Sequence, residues 1–199
     1  LIDKIYGSVA TYKTREALYV IQKLARGFKP NSKVLILGAG CGAETILIKK
    51  ECPTCLVTAI DSWNGDIEYN DGKTSIPGTN FQDDFNSSCR LFNVEVDRAI
   101  KSNIYKTRVI EEIGDDWDFI YYDCVDNGDG KSLDLVLNML IRLWGKLNAS
   151  GTLMGDDYVF DRPDYKMSPV VDKFVDEIAG IQSFEVDRFN KSYHWMIRK

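Results

Sequence analysis

The chain has 199 residues, 44% hydrophobic and 28% charged, with Lys+Arg 25 against Asp+Glu 30 for a formal net charge of -5. That length suits one domain with a full core and is short for two, so we expect a single domain over 1–199. The negative balance weighs against a nucleic-acid partner, the apolar runs are too short for a membrane span and no secretory signal is recognised, which leaves a cytoplasmic protein acting on a small molecule or glycan.

In chain order, Ala17, Leu18, Ile21, Leu24 and Ala25 follow the helical period from Arg15 to Ala25, and Gly27 and Pro30 end it, making 1–30 a helical lead-in. Lys33-Val-Leu-Ile-Leu37 is a short apolar run stopping at a glycine cluster, the pattern of a strand buried on both faces. A helix over Ala43 to Lys50 and a strand over Leu56 to Ile60 complete a strand-helix-strand unit, whose crossover is right-handed for parallel strands. Between them lies Cys52-Pro-Thr-Cys55. The five cysteines (Cys41, Cys52, Cys55, Cys89, Cys124) form no second such pair, so we expect two ordinary loop thiols, no thiolate metal site and a reducing compartment. Residues 62–79 are polar, glycine-rich and without period, which predicts a long surface loop and a candidate lid.

Asn80 to Phe92 reads as a helix, Val94 to Ile100 as a third strand and Asn103 to Ile113 as the next helix. Asp118-Phe-Ile-Tyr-Tyr122 is an aromatic-rich fourth strand ending at Asp123. Leu133, Val136, Leu137, Leu140, Ile141, Trp144 and Leu147 form a stripe on a helix that stops near Gly151, before a fifth strand through Thr152 to Gly155. Ser168-Pro169 is a cap followed by proline, and Val171, Phe174, Val175 and Ile178 give that helix a buried face. Phe184 to Asp187 and His194 to Arg198, separated by Asn190-Lys-Ser192, read as a terminal hairpin. The alternation predicts an α/β fold: a doubly wound, mostly parallel seven-stranded sheet with a C-terminal antiparallel hairpin, in three layers α/β/α. Ligands of such sheets sit beyond the carboxyl ends of the strands, where strand order reverses.

After the first strand stands Gly38-Ala-Gly40-Cys-Gly42-Ala-Glu44, small residues that allow a tight turn and close approach of a ligand. The letters fit Gly-x-Gly-x-Gly, a methyltransferase form, and Gly-x-Gly-x-x-Ala, a dinucleotide form, with Ala43 as the third small residue. Asp61, nineteen residues past Gly42 and after the second strand, stands where an acid would accept both ribose hydroxyls. S-adenosylmethionine and nicotinamide enzymes both use such an acid, so this half of the chain leaves both open.

Three further segments carry a resemblance: Asp61-Ser-Trp63-Asn-Gly65-Asp66, Asp118-Phe-Ile-Tyr-Tyr-Asp123, and Gly155-Asp156-Asp157-Tyr158 with Val171-Asp-Lys-Phe174. They look like the post-strand signatures of the small-substrate O-methyltransferases of the Rossmann-like class I superfamily, methyltransferase family 24 type, which includes macrolide-sugar and cephalosporin-pathway members. The resemblance runs from about Arg15 to Phe174. It implies that Gly38, Ala39, Gly40 and Gly42 line the methionine and ribose side of S-adenosylmethionine. It further implies that Asp61 holds the ribose, with Ser62 beside it among the cofactor-binding residues, that Trp63 packs near the adenine, that Lys101 and Ser102 edge that ring, and that Asp123 lies near the methionine end. Two positions depart from the family. Ile36 replaces an acid two residues before the first glycine, so one contact to the cofactor's amino group is missing or supplied elsewhere. Asp126 replaces a histidine, against His-based proton transfer.

Asp123, Asp156 and Asp157 also make a physical case of their own. Carboxylates at neighbouring strand ends converge, and three oxygen donors suit Mg²⁺ or another divalent cation that would chelate a substrate hydroxyl. The competing reading makes Asp156 and Asp157 turn caps and leaves Asp123 to the cofactor. Asp123, Asp126 and Lys131 are the catalytic candidates. His194, the single histidine, reads as a packed or surface imidazole, and Tyr69, Tyr158 and Tyr165 as residues that could shape an aromatic pocket. The expected activity is methyl transfer from S-adenosylmethionine to an oxygen of a small molecule or sugar. The alternatives are an NAD(P)-dependent oxidoreductase, which would lack a hydride-transfer set after the fourth strand, and a non-catalytic nucleotide-binding module.

Overall fold

The computed structural model describes residues 1–9, 11, 13–63, 81–105, 107–124, 133–158, 167–176, 184–186 and 194–199. Strand β1 (Lys33–Leu37) is buried over its last four residues, as a strand covered on both faces should be. Its Val34 and Ile36 join one core with Leu18 and Ile21 of α2 (Arg15–Ala25) and with Ile46 and Leu47 of α3 (Ala43–Glu51). Its Leu35 and Leu37 join a second core with Ile110 of α5 (Thr107–Glu112), Leu140 of α6 (Leu133–Lys146) and Val171 of α7 (Met167–Phe174). The period of two along the strand thus sends alternate side chains to helices on opposite faces, and the layers are α/β/α. Each such leucine, isoleucine or valine contributes roughly 1.5–3 kcal/mol by its burial.

With β2 at Leu56–Asp61, β3 at Arg98–Lys101, β4 at Trp117–Tyr122, β5 at Leu147–Gly155, β6 at Phe184–Val186 and β7 at Trp195–Arg198, the sheet runs in the order β3-β2-β1-β4-β5-β7-β6. The pairs β1/β2, β1/β4, β2/β3 and β4/β5 are parallel, and β7 runs antiparallel to both β5 and β6. Strand order reverses between β1 and β4, so the crevice for a ligand opens where Leu37 and Tyr122 end.

Several boundaries differ from the sequence reading for local reasons. The helix α1 (Ile2–Ser8), whose seven residues are too few to show a period, packs Ile2 and Ile5 against α2 and α3. The third strand starts at Arg98 rather than Val94: Asp97 Oδ2 takes the Val57 amide at 2.8 Å, a side chain standing where a strand would pair, while Val94 and Val96 pack on the first core. The helix expected from Asn103 begins at Thr107, because Asn103 Oδ1 accepts the Tyr105 amide in a turn. Helix α6 ends at Lys146, and its buried face is Val136, Met139, Leu140 and Leu143, with Leu133 exposed. Strand β5 begins at Leu147, and its pairing with β4 shifts register between Trp117 and Phe119, where Asn148 Nδ2 donates to Asp118 Oδ1. Ser168 lies inside α7 rather than capping it. Cys52 and Cys55 are joined as a disulfide, a correction to the expectation of two free thiols; their Cα atoms stand 5.5 Å apart, within bridging reach. The helix α4 (Phe81–Leu91) buries Phe85 and Cys89. Of the candidate lid, Ser62 and Trp63 are described and the remainder lies outside the described residues, as do Ile178 and the Asn190–Ser192 turn. Among the described residues no helix is long and apolar enough to cross a membrane.

Candidate functional site

Three glycines shape the turn out of β1. A Cβ on Gly38 (φ +83°) would stand 1.7 Å from the Asp123 carbonyl oxygen, so the β1 and β4 chain ends lie too close for any side chain there. Gly42 (φ +94°) is the N-cap of α3, and its carbonyl accepts the Ile46 amide at 2.8 Å. Gly40 (φ +47°) differs: nothing lies within 4 Å of where its Cβ would be. Ala39 is buried beneath the turn.

The Gly40 peptide is nonetheless held on both sides. Its amide donates to Asp61 Oδ2 at 2.8 Å, and its carbonyl accepts the Trp63 indole N–H at 2.9 Å. The other Asp61 oxygen accepts the Trp63 amide at 2.6 Å. Burial raises the Asp61 pKa, and the amides of Trp63 and Gly40 work against that rise. Each carboxylate oxygen has lone pairs left for a ribose hydroxyl. Trp63 is 4% exposed and its ring packs on Phe85 at 5.1 Å between centroids, so it braces the glycine turn from the core. Ser102 follows β3 and its amide donates to the Asp61 carbonyl at 2.8 Å, with exposed Lys101 beside it. Both therefore edge the same crevice as Ser62 and Asp61.

At the ends of β4 and β5 stand the three aspartates read from the sequence either as metal ligands or as turn caps beside the cofactor. Asp123 and Asp156 do converge, but on the ammonium of Lys13, which pairs with Asp123 Oδ2 at 2.7 Å and with Asp156 Oδ2. Asp157 has a left-handed backbone (φ +65°), and its amide donates to Asp156 Oδ1 at 2.8 Å. Among the described residues no group of three His, Cys, Asp or Glu side chains is arranged to hold a metal. Lys13 is only 9% exposed. Burial disfavours its charge, but Asp123 and Asp156 outweigh that and hold it well above its ordinary value. Asp123 is raised, first by burial and then by Asp156, with Lys13 opposing. Glu44, in the first turn of α3, belongs to the same electrostatic group: burial pushes it up to about 7, Lys13 opposes, and Asp123 and Asp156 add to the rise.

Lys13 and Glu44 carried no signal in the sequence reading, Lys13 because it is an isolated residue between two helices and Glu44 because an acid in a first turn is ordinary. His194 is packed, with Nε2 3.0 Å from the Tyr121 hydroxyl. Tyr158 donates to Asp172 Oδ1 at 2.7 Å and is buried in the second core, which removes it from the pocket candidates. Burial raises the Cys41 thiol to about 11, so it stays protonated beside the turn. Asp126, Lys131, Tyr69 and Tyr165 lie outside the described residues.

No family model matches the chain. No curated protein matches it either. Solved structures do share its fold. A Streptococcus mutans protein assigned as a methyltransferase, solved in complex with S-adenosylhomocysteine (SAH), superposes at TM-score 0.64 with 12% identity over 93% of this chain and 98% of that one. A Staphylococcus aureus protein assigned as a caffeoyl-CoA O-methyltransferase gives TM-score 0.63 and 14% identity over 97% and 86%. A Nostoc punctiforme protein assigned as an O-methyltransferase gives TM-score 0.62 and 14% identity over 93% of this chain, which spans 57% of that one.

Proposed function

We propose, for a chain whose fold is that of the class I S-adenosylmethionine-dependent methyltransferases, that it transfers the cofactor's methyl group to an oxygen of a small molecule or sugar. The observation that carries this reading is the Gly40 peptide, fixed by Asp61 and Trp63 and bare where a Cβ would stand, which is what a ligand lying along the turn requires. In this reading Gly38, Gly40 and Gly42 line the cofactor and Asp61 takes its ribose. Ser102 and Lys101 edge the adenine, and Asp123 faces the methionine end. Ile36 is fully buried and apolar, so the amino group's acidic partner comes from Asp123 and Glu44.

The cofactor supplies an activated methyl on a sulfonium, and the crevice matches that cation: Asp61, Asp123 and Asp156 against Lys13 leave it acidic. Transfer then asks two things of the protein, alignment of the acceptor oxygen and removal of its proton. Asp126 and Lys131, which follow Asp123 in the chain, are our candidates for the second task. Calorimetric titration with SAH tests the reading: binding supports it, and no binding at high micromolar ligand while NADH binds overturns it.

A further inference from the structure

We propose that Lys13 takes the place of a divalent ion in this chain, one ammonium holding Asp123 and Asp156 together at the ends of β4 and β5 so that the acceptor side of the crevice is built without metal. The inference deepens the methyl-transfer reading and rests on it for the word acceptor; the electrostatics below stand without it.

Two carboxylates at the ends of adjacent parallel strands repel one another, and with both side chains largely withdrawn from water that repulsion is weakly screened. A cation between them offsets it. A hard divalent ion would need several oxygen ligands and room for water. Instead an ammonium stands there, within ion-pair distance of one oxygen from each aspartate and 5.9 Å from the centre of the Tyr121 ring. A second Asp156 oxygen, which a metal could have used, accepts the Asp157 amide.

The ammonium is placed by the fold, not by a flexible surface chain. Upstream, α1 anchors Ile2 and Ile5 in the first core; downstream, the Thr14 hydroxyl caps α2 by accepting the Ala17 amide at 3.1 Å. The Lys13 amide itself donates to Thr11 Oγ1 at 3.1 Å. Lys13 is therefore a positioning residue: it sets where Asp123 and Asp156 sit. The N-terminal segment that carries it is part of the site.

A latent divalent site follows. With the ammonium removed, Asp123 and Asp156 become an acidic pair without its counter-ion, to which a hard cation can bind. The test is thermal unfolding of the whole chain with and without Mn²⁺ or Mg²⁺ for wild type, Lys13→Ala and Lys13→Arg. Wild type and Lys13→Arg should not respond. Lys13→Ala should melt lower and regain roughly 5–10 °C at an ion concentration about a hundred times its dissociation constant. Should Lys13→Ala not fold, Lys13→Met, which keeps the aliphatic stem, replaces it. A wild type stabilised as much as the variant would mean that the ion displaces Lys13, and a variant without response would mean that the ammonium was not standing in for one; either overturns the proposal. Because these melts use the ion alone, they decide the matter even where SAH fails to bind and the methyl-transfer reading falls.

Discussion

Replacing Glu44 by Gln removes a buried acid whose proton the folded protein holds tightly. Its pKa lies near 7 against an ordinary 4.5, raised chiefly by burial, which corresponds to about 3 kcal/mol between the two protonation states. The folded protein binds this proton more strongly than the unfolded chain does. The group's contribution to stability is therefore complete below about pH 4.5 and is lost as pH rises through about 7. Glutamine resembles the protonated acid and does not titrate. The stability of Glu44→Gln relative to wild type should thus be near zero at pH 4 and grow to about 3 kcal/mol by pH 8, or about 6–12 °C in Tm for a domain of this size. Paired thermal melts or urea titrations at half-unit pH steps measure this directly, since other titrating groups cancel in the difference. A difference that stays constant across that range would refute the reasoning, because it would mean that Glu44 is ionised or solvated in the folded state.

Asp61→Ala should weaken SAH binding by about 1.5–3 kcal/mol through loss of charge-assisted hydrogen bonds, and wild-type affinity by calorimetry would place the ligand elsewhere. Gly38→Ala should lose more than about 3 kcal/mol in urea unfolding, since a Cβ at φ +83° meets the Asp123 carbonyl oxygen at 1.7 Å and relief would part β1 from β4. Near wild-type stability would show that the strand ends yield easily. Turnover, once an acceptor is in hand, should be unchanged in EDTA; chelator-sensitive turnover would return Asp123, Asp156 and Asp157 to the role of metal ligands.

The elements whose signal is local could be read from the chain alone. Lys33 to Leu37 followed by Gly38, Gly40 and Gly42 is such a case: an apolar run buried on both faces, then positive-φ positions that favour glycine. Asp61 follows from the same geometry, since a right-handed crossover returns the second strand beside the first with its end at the glycine turn. Local spacing could not say whether Cys52 and Cys55 bridge, nor that Trp63 turns inward to hold Gly40. The charge pairing was further out of reach. Lys13 meets an aspartate 143 positions away, and only the packing of α1 and α2 against the sheet brings its ammonium to the ends of β4 and β5. Chain spacing points to three carboxylates near the strand ends and leaves open whether they hold a metal or cap turns. Packing supplied a lysine, because what neutralises a buried charge depends on which segment the fold lays across it, and no periodicity encodes that.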